Sequence, residues 1–305
     1  MKFIVYTDLH LAAKNPIHRV DNYSQSLISK LNEIYDISNK HSVDVILFLG
    51  DFFNTHRIYS YDLINQAIDI INSSDINTYS IIGQHDLIGY NKDSYFSSAL
   101  CFLERHCKNF YTLIEPKEFD DTVIYPCHCY DDLLKTINQK VTKRKNSILL
   151  AHHLITEKRM PFHTFLTSEL IPCPYSAVFF GDYHAGMEQN TIDNTMFWSP
   201  GSIARIAINE TKKIPKIGII ETKLGNKINI EEIKLKSTKL AEEVFNVSIV
   251  ETLKQHTEYN SDKLIQQIQE FELCSIDIYD LIEKAAKKNN IDKSLVDYIL
   301  SKKPL

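Results

Sequence analysis

The sequence predicts an α/β protein, with β-sheets flanked by helices and a small helical region at the C-terminus. Three observations predict it. Over residues 2–82, apolar runs of strand length alternate with stretches of helical periodicity in the order β-α-β-α-β, which implies a largely parallel sheet with helices on both sides. Chemically distinctive residues fall directly after the strands, where ligands bind in such sheets. Beyond about residue 238 the chain becomes charged and helical in pattern.

Residues 2–6 read as a buried strand. Leu27, Ile28, Leu31, Ile34 and Tyr35 recur at helical spacing and predict a helix near residues 22–40. Residues 43–49 form an apolar strand interrupted only by Asp44. Leu63, Ile64, Ala67, Ile68 and Ile71 mark a second helix, and residues 77–82 the next strand. The pattern returns as a helix near 130–140 and strands at 147–151 and 177–180, then shifts to strands and turns over 195–235. Three apolar stripes follow, at Leu264/Ile265/Ile268/Phe271, Ile278/Leu281/Ile282/Ala285 and Leu295/Val296/Ile299/Leu300. The expected division is a catalytic domain over residues 1–238 and a helical region over 239–305 that docks a partner or caps the domain.

The chain has 305 residues, enough for one large core with an appendage. No apolar run approaches the roughly 18 residues of a membrane span. Phe3-Ile4-Val5-Tyr6 is too short for a secretory apolar region. The six cysteines form no C-x-x-C pair, so a zinc ribbon is unsupported. A cytoplasmic protein with reduced thiols and no membrane association is the expectation. The formal net charge is −5, which is not the global profile of a nucleic-acid-binding domain. Attraction to any nucleic acid would have to come from bound cations, local basic patches or a partner.

Five strand ends deliver Asp, His or an amide. They are Asp8-Leu9-His10, Gly50-Asp51, Gly83-Gln84-His85-Asp86, His152-His153 and Gly181-Asp182-Tyr183-His184. These oxygen and nitrogen donors suit Mn²⁺, Mg²⁺, Fe²⁺ or Zn²⁺. The D-x-H spacing in an extended segment points both side chains the same way. A lone D-x-H is usually a surface polar pair, and an isolated strand-end His usually a satisfied polar residue. Five such pieces in order, each after a separate strand, favour a metal centre.

This order resembles the calcineurin-like metallophosphoesterase family, whose motifs run D-x-H, GD, GN-H-D/E, a strand-end H and G-H-x-H. Gly50-Asp51-Phe52-Phe53 looks like the GD-[LF]-F of SbcD-type DNA-repair nucleases, and Pro200-Gly201-Ser202-Ile203-Ala204-Arg205 like their site-closing PGS-x-x-R segment. Arg19, the long helix and the strand from Val43 also match. The resemblance covers about residues 1–235, and the tail looks similar to that of SbcD-like proteins of bacteriophages.

The resemblance implies a calcineurin-like sandwich and two divalent ions, Mn²⁺ first, with Mg²⁺ or Fe²⁺ as alternatives. Asp8, His10, Asp51 and His184 would hold one ion. Asp51 would bridge to a second, completed by Gln84, His152 and Asp182. His85 would contact the scissile phosphate, with Asp86 orienting it from behind. His152 and His153 compete for one ligand position, and His152 is preferred because it directly follows the strand and Ala151. Arg57, His153, Ser202 and Arg205 are candidate substrate contacts. Lys143-Arg144-Lys145, Lys158-Arg159 and Lys212-Lys213 are basic pairs or runs within reach of a DNA backbone only if they are not simply solvated surface. Gln84 and Asp182 depart from the family's Asn and His.

The implied function is a DNA exonuclease/endonuclease subunit for repair or recombination, working with an SbcC-type coiled-coil ATPase; a homodimer stays open. One alternative is a small-molecule or cyclic-nucleotide phosphodiesterase on the same fold. Another is a catalytically weak DNA-binding or scaffold subunit, if Gln84 and Asp182 leave one metal position empty.

Overall fold

A computed structural model describes residues 1–141, 145–161, 163–223 and 227–246, which form one compact unit over Met1–Asn246. The three apolar stripes expected beyond residue 260 lie outside the described residues. In chain order the elements begin β1 (Lys2–Tyr6), α1 (Tyr23–Lys40), β2 (Val45–Phe48), α2 (Tyr61–Asn72), β3 (Asn77–Ser80), α3 (Ala99–His106) and β4 (Phe110–Thr112). They continue β5 (Lys117–Glu118), β6 (Thr122–Cys127), α4 (Leu133–Ile137), β7 (Asn146–His152), β8 (Ile155–Thr156) and β9 (Phe165–Leu166). The last are β10 (Ala177–Gly181), β11 (Met187–Ile192), β12 (Thr195–Ser199), β13 (Lys216–Lys223), β14 (Lys227–Lys234) and α5 (Ala241–Val244).

Two six-stranded sheets result, ordered β14-β13-β1-β2-β3-β4 and β11-β12-β10-β7-β6-β5. Their inner strands pair in parallel, and antiparallel strands close the edges at β13/β14, β11 and β5. Side chains alternate across a strand, so each sheet has two apolar faces to cover. Phe3, Val5, Val45 and Leu47 point into the space between the sheets, where they meet Ile148, Leu150, Phe179 and Trp198. Ile4, Tyr6, Ile46 and Phe48 point the other way, onto Leu27 and Leu31 of α1, Ile64 of α2 and Leu100 of α3. Leu149, Val178 and Phe180 cover the outer face of the second sheet with Leu133 and Ile137 of α4. The architecture is therefore helix, sheet, sheet, helix. The expectation of helices on both sides of one sheet is corrected here: the second face of the first sheet is covered by another sheet.

The helix starts follow from side-chain oxygens that accept otherwise free backbone N–H groups. Asn22 Oδ1 accepts from Gln25 N at 3.1 Å, Ser60 Oγ from Leu63 N at 3.3 Å, and Ser98 Oγ from Cys101 N at 3.1 Å. Among the described residues no helix is long and apolar enough to cross a membrane. Among the described residues the five cysteines are free thiols.

What matters for the site is direction. β1, β2 and β3 run in parallel, as do β7 and β10, with Tyr6 opposite Phe48 and Gly181 opposite His152. A Cβ on Gly181 would lie 2.4 Å from Thr7 Oγ1 and 2.7 Å from Leu49 O. The carboxyl ends of both parallel sets thus meet at one end of the sandwich.

Trp198 is the largest fully buried side chain; it packs edge-on to Phe179 and donates Nε1–H to Glu232 at 2.8 Å. Replacing it with Ala removes the bulk between the sheets. Trp198→Ala is expected to lower the unfolding free energy by about 3–5 kcal/mol in a urea titration.

Candidate metal centre

The loops after β1 and β2 are laced together before any side chain is considered. Asp8 N donates to Gly50 O at 3.1 Å, His10 N to Asp51 O at 3.1 Å and Leu11 N to Phe52 O at 2.8 Å. This ladder holds Asp8, His10 and Asp51 in the left-handed region, at φ 51°, 47° and 59°, and Asp182 shares it at φ 73°. Such backbone costs an L-residue roughly 1–3 kcal/mol and persists only where surroundings enforce it. Gly83 is required by close approach, since its Cβ would stand 2.1 Å from Asp51 Oδ1.

The side chains then converge. Asp8 Oδ1 lies 3.6 Å from His10 Nε2 and 3.7 Å from His184 Nε2. The two imidazoles approach at 3.0 Å between their Nε2 atoms. Asp51 Oδ2 is 3.4 Å from His152 Nε2 and 3.9 Å from His10 Nε2. Asp8, Asp51, His10 and His152 are all buried. Donor atoms of Asp8/His10/His184, of His10/Asp51/His85 and of Asp8/Asp51/His152 each fall within 4.8 Å of one another. Asp8 Oδ1, Asp51 Oδ2 and His152 Nε2 have no hydrogen-bond partner, and they face one another. Buried polar atoms are normally partnered, so these orphans fit divalent cations as the missing partners. His152 Nδ1 donates to Leu49 O at 2.5 Å, which fixes the ring with Nε2 toward the cluster. Burial alone would favour its neutral form, but Asp51 and Asp8 outweigh that and raise its pKa, as a site built for positive charge requires.

Gln84 and Asp182 touch. Gln84 Nε2 donates to Asp182 Oδ1 at 2.5 Å, and Asp182 N donates to Asp8 Oδ2 at 3.2 Å. The two departures from the motif therefore form one hydrogen-bonded pair at the edge of the cluster, with the Gln84 carbonyl left as a donor for a metal.

His85 is held by its backbone N–H to Asp51 Oδ1 at 2.8 Å and by Nδ1 to Asn54 O at 2.8 Å. Its ring meets His10 edge-on. Asp86 does something other than expected. Its Oδ2 accepts from Gly83 N at 2.9 Å and Asp51 N at 3.0 Å, so it orders the loop backbone, while the Asn54 carbonyl orients His85. Burial, then the nearby Asp51, pushes the Asp86 carboxyl up to about 7.

A carboxylate the sequence reading missed stands behind His184. Glu210 Oε1 lies 3.5 Å from His184 Nδ1 and pairs with Lys213, and its Oε2 accepts from Ile206 N at 2.6 Å and Ala207 N at 2.8 Å. Burial raises its pKa, yet the hydrogen bond to His184 and the Lys213 charge leave it well below the carboxylate range. A carboxylate behind a ligand imidazole sets its tautomer and basicity. The turn carrying His184 is seated by Ser202 N, which donates to His184 O at 3.1 Å. That contact needs Gly201, at φ +73°, whose Cβ would fall 2.8 Å from His184 O. A sequence clue existed in the glutamate closing the segment after Pro200–Arg205.

Other candidates land elsewhere. His153 turns its ring edge-on to Phe165, and its Nε2 is buried without a partner. Ser202 Oγ is buried, donating to Ala204 O and accepting from Lys213. Arg205 is 2 % exposed and donates to Lys239 O, so the expected phosphate contact becomes an internal strut. Lys213 is consumed by Glu210, and Arg159 pairs with Glu169 on the surface. Lys145 pairs with Glu118, while Lys143 and Arg144 lie outside the described residues. Arg57 is exposed and lines the cleft that contains Gln84 and His85.

Residues 1–193 match the family model described as calcineurin-like phosphoesterase. No curated protein matches the chain. Among solved structures, a dimetal phosphatase from Danio rerio is 12% identical, covers 77% of this chain and 98% of its own, and has a TM-score of 0.50. Yfce, a phosphoesterase from E. coli, is 11% identical over 77% of this chain and 100% of its own, with a TM-score of 0.38.

Glu210→Gln keeps the size of the side chain and removes its charge. Calorimetric titration with Mn²⁺ is expected to show about 10–100-fold weaker binding of one ion, held by His184, with the other little changed. Asp51→Asn, by contrast, is expected to weaken both.

Proposed function

Because the chain belongs to the calcineurin-like phosphoesterase family, we propose that it is a two-metal phosphodiesterase acting on DNA, a cytoplasmic nuclease of the SbcD type. One observation carries the reading. The cluster sits between two cavities of about 310 and 570 Å³, one lined by Arg57, Gln84 and His85, the other by Asp182, His184 and Tyr183. The hydrogen-bonded Gln84–Asp182 pair joins them. A phosphodiester with chain on both sides fits such a passage; a small monoester would need only one side of it.

The candidate ligands are Asp8, His10, Asp51, Gln84, His152, Asp182 and His184. Two divalent cations held there would supply positive charge for the phosphate and a more acidic water as nucleophile. Mn²⁺ is the favoured ion, since four hard oxygen donors, from three carboxylates and one amide, outnumber the three borderline imidazoles. His85 keeps Nε2 free while Nδ1 is tied to Asn54 O, so it is placed to hold or deliver a proton at the leaving oxygen. The likeness of Gly50–Phe53 and Pro200–Arg205 to nuclease motifs supports DNA over a cyclic nucleotide. In this chain Phe52, Phe53 and Arg205 are buried, so those motifs shape the site from behind.

The decisive assay compares labelled DNA, bis-p-nitrophenyl phosphate and a cyclic nucleotide in Mn²⁺. Cleavage of DNA is expected, and His85→Ala is expected to lower it by about 10²–10⁴-fold while both ions still bind. Hydrolysis of the cyclic nucleotide with DNA left intact would overturn the reading. The partner in this proposal is an SbcC-type coiled-coil ATPase docked through residues 247–305. A chain truncated after Asn246 is expected to lose co-purification with the ATPase while keeping its metals.

A further inference from the structure

An apolar cavity adjoins the cleft that contains Gln84 and His85, and neither the candidate ligands nor His85 lines it. Its volume is about 460 Å³, within the range of small-molecule sites. Leu11, Tyr23, Phe53, Leu63, Ile64 and Ile206 line it. Ala13, Lys14, Arg57 and Tyr59 stand exposed at its mouth.

Two contacts tie this cavity to the chemistry. The Tyr23 hydroxyl donates to His10 O at 3.0 Å, and Asn54, which lines the cavity, accepts the His85 Nδ1 proton through its carbonyl at 2.8 Å. Asn54, Thr55, Arg57 and Tyr59 line both this cavity and the cleft containing Gln84 and His85. The cleft and the cavity therefore share one wall, with Arg57 exposed on it.

We propose that the cavity is a nucleobase subsite, which takes the base next to the scissile phosphate after it has turned out of the strand. The inference rests on the phosphodiester reading above. The lining is aliphatic and aromatic, which suits a flat heterocycle and rejects a phosphate or a bare sugar. The mouth is cationic, with Lys14 and Arg57, which suits the phosphates on either side of that base and gives no advantage to a neutral apolar ligand. A base paired in a duplex is not available to the cavity, so unpaired strands and frayed ends are the better substrates.

The test uses the full chain with Mn²⁺ and a labelled single-stranded oligonucleotide that carries one abasic position beside a mapped cleavage site. Removing the base is expected to lower kcat/KM at that site about tenfold, mainly through KM. Ala13→Trp fills the mouth from an exposed position. It is expected to bring the intact oligonucleotide down to the abasic rate, to respond no further to base removal, and to bind both ions as before. Titration with deoxyadenosine, which carries no phosphate for the metals, is expected to show binding that Ala13→Trp weakens about tenfold. Equal cleavage with and without the base would overturn the subsite, even if DNA is the substrate. If no phosphodiester is cleaved, the functional reading fails, and deoxyadenosine binding still decides the cavity.

Discussion

Everything at this end of the molecule follows from keeping Asp8 and Asp51 ionised while fully buried. Both carboxylates are fully buried, and each leaves one oxygen unpartnered. Two negative charges this close destabilise each other in a low-dielectric interior unless cations join them. The imidazoles, the left-handed backbone and the close-fitting glycines all serve that arrangement. Asp86 acts one layer further back, pinning the Gly83 and Asp51 amides so that Asp51 cannot turn away.

Much of this was legible in the sequence, because the signals were local. The period of α1 and the apolar run of β2 declared themselves, and a polar residue directly after a buried strand has few places to go. The sandwich was not legible from spacing. β4 and β5 are only three and two residues long, β6 contains Pro126, and α3 is one short amphipathic segment. Without β5 and β6 the second sheet cannot be counted, without β4 and α3 the first is cut short, and the first sheet then reads as one that needs helices on both faces. The family resemblance supplied what periodicity lacked.

The site was legible as a list of donors and less so as a set of roles. His85 and His152 are placed by carbonyls of Asn54 and Leu49, partners that no side-chain pattern announces. Glu210 reaches His184 only because the chain after Arg205 folds back. Arg205 shows the reverse case, a charged residue in a motif that turns inward. The Phe245 ring stands 5.8 Å from the Arg19 guanidinium and 5.9 Å from that of Arg205, and Arg19 donates to Arg205 O at 2.6 Å. The last described residues are thus fastened to the segment that carries Glu210.

The candidate ligands are divided between the two sheets: Asp8, His10, Asp51 and Gln84 follow strands of the first, and His152, Asp182 and His184 follow strands of the second. Ions bound among them would act as rivets through two plates. They would close loops between chain segments far apart in sequence, so part of their binding energy would become cohesion between the sheets. Metal loading would then add to the cohesion that the apolar core already gives the two sheets, and a cell poor in the metal would hold a looser protein as well as an idle one.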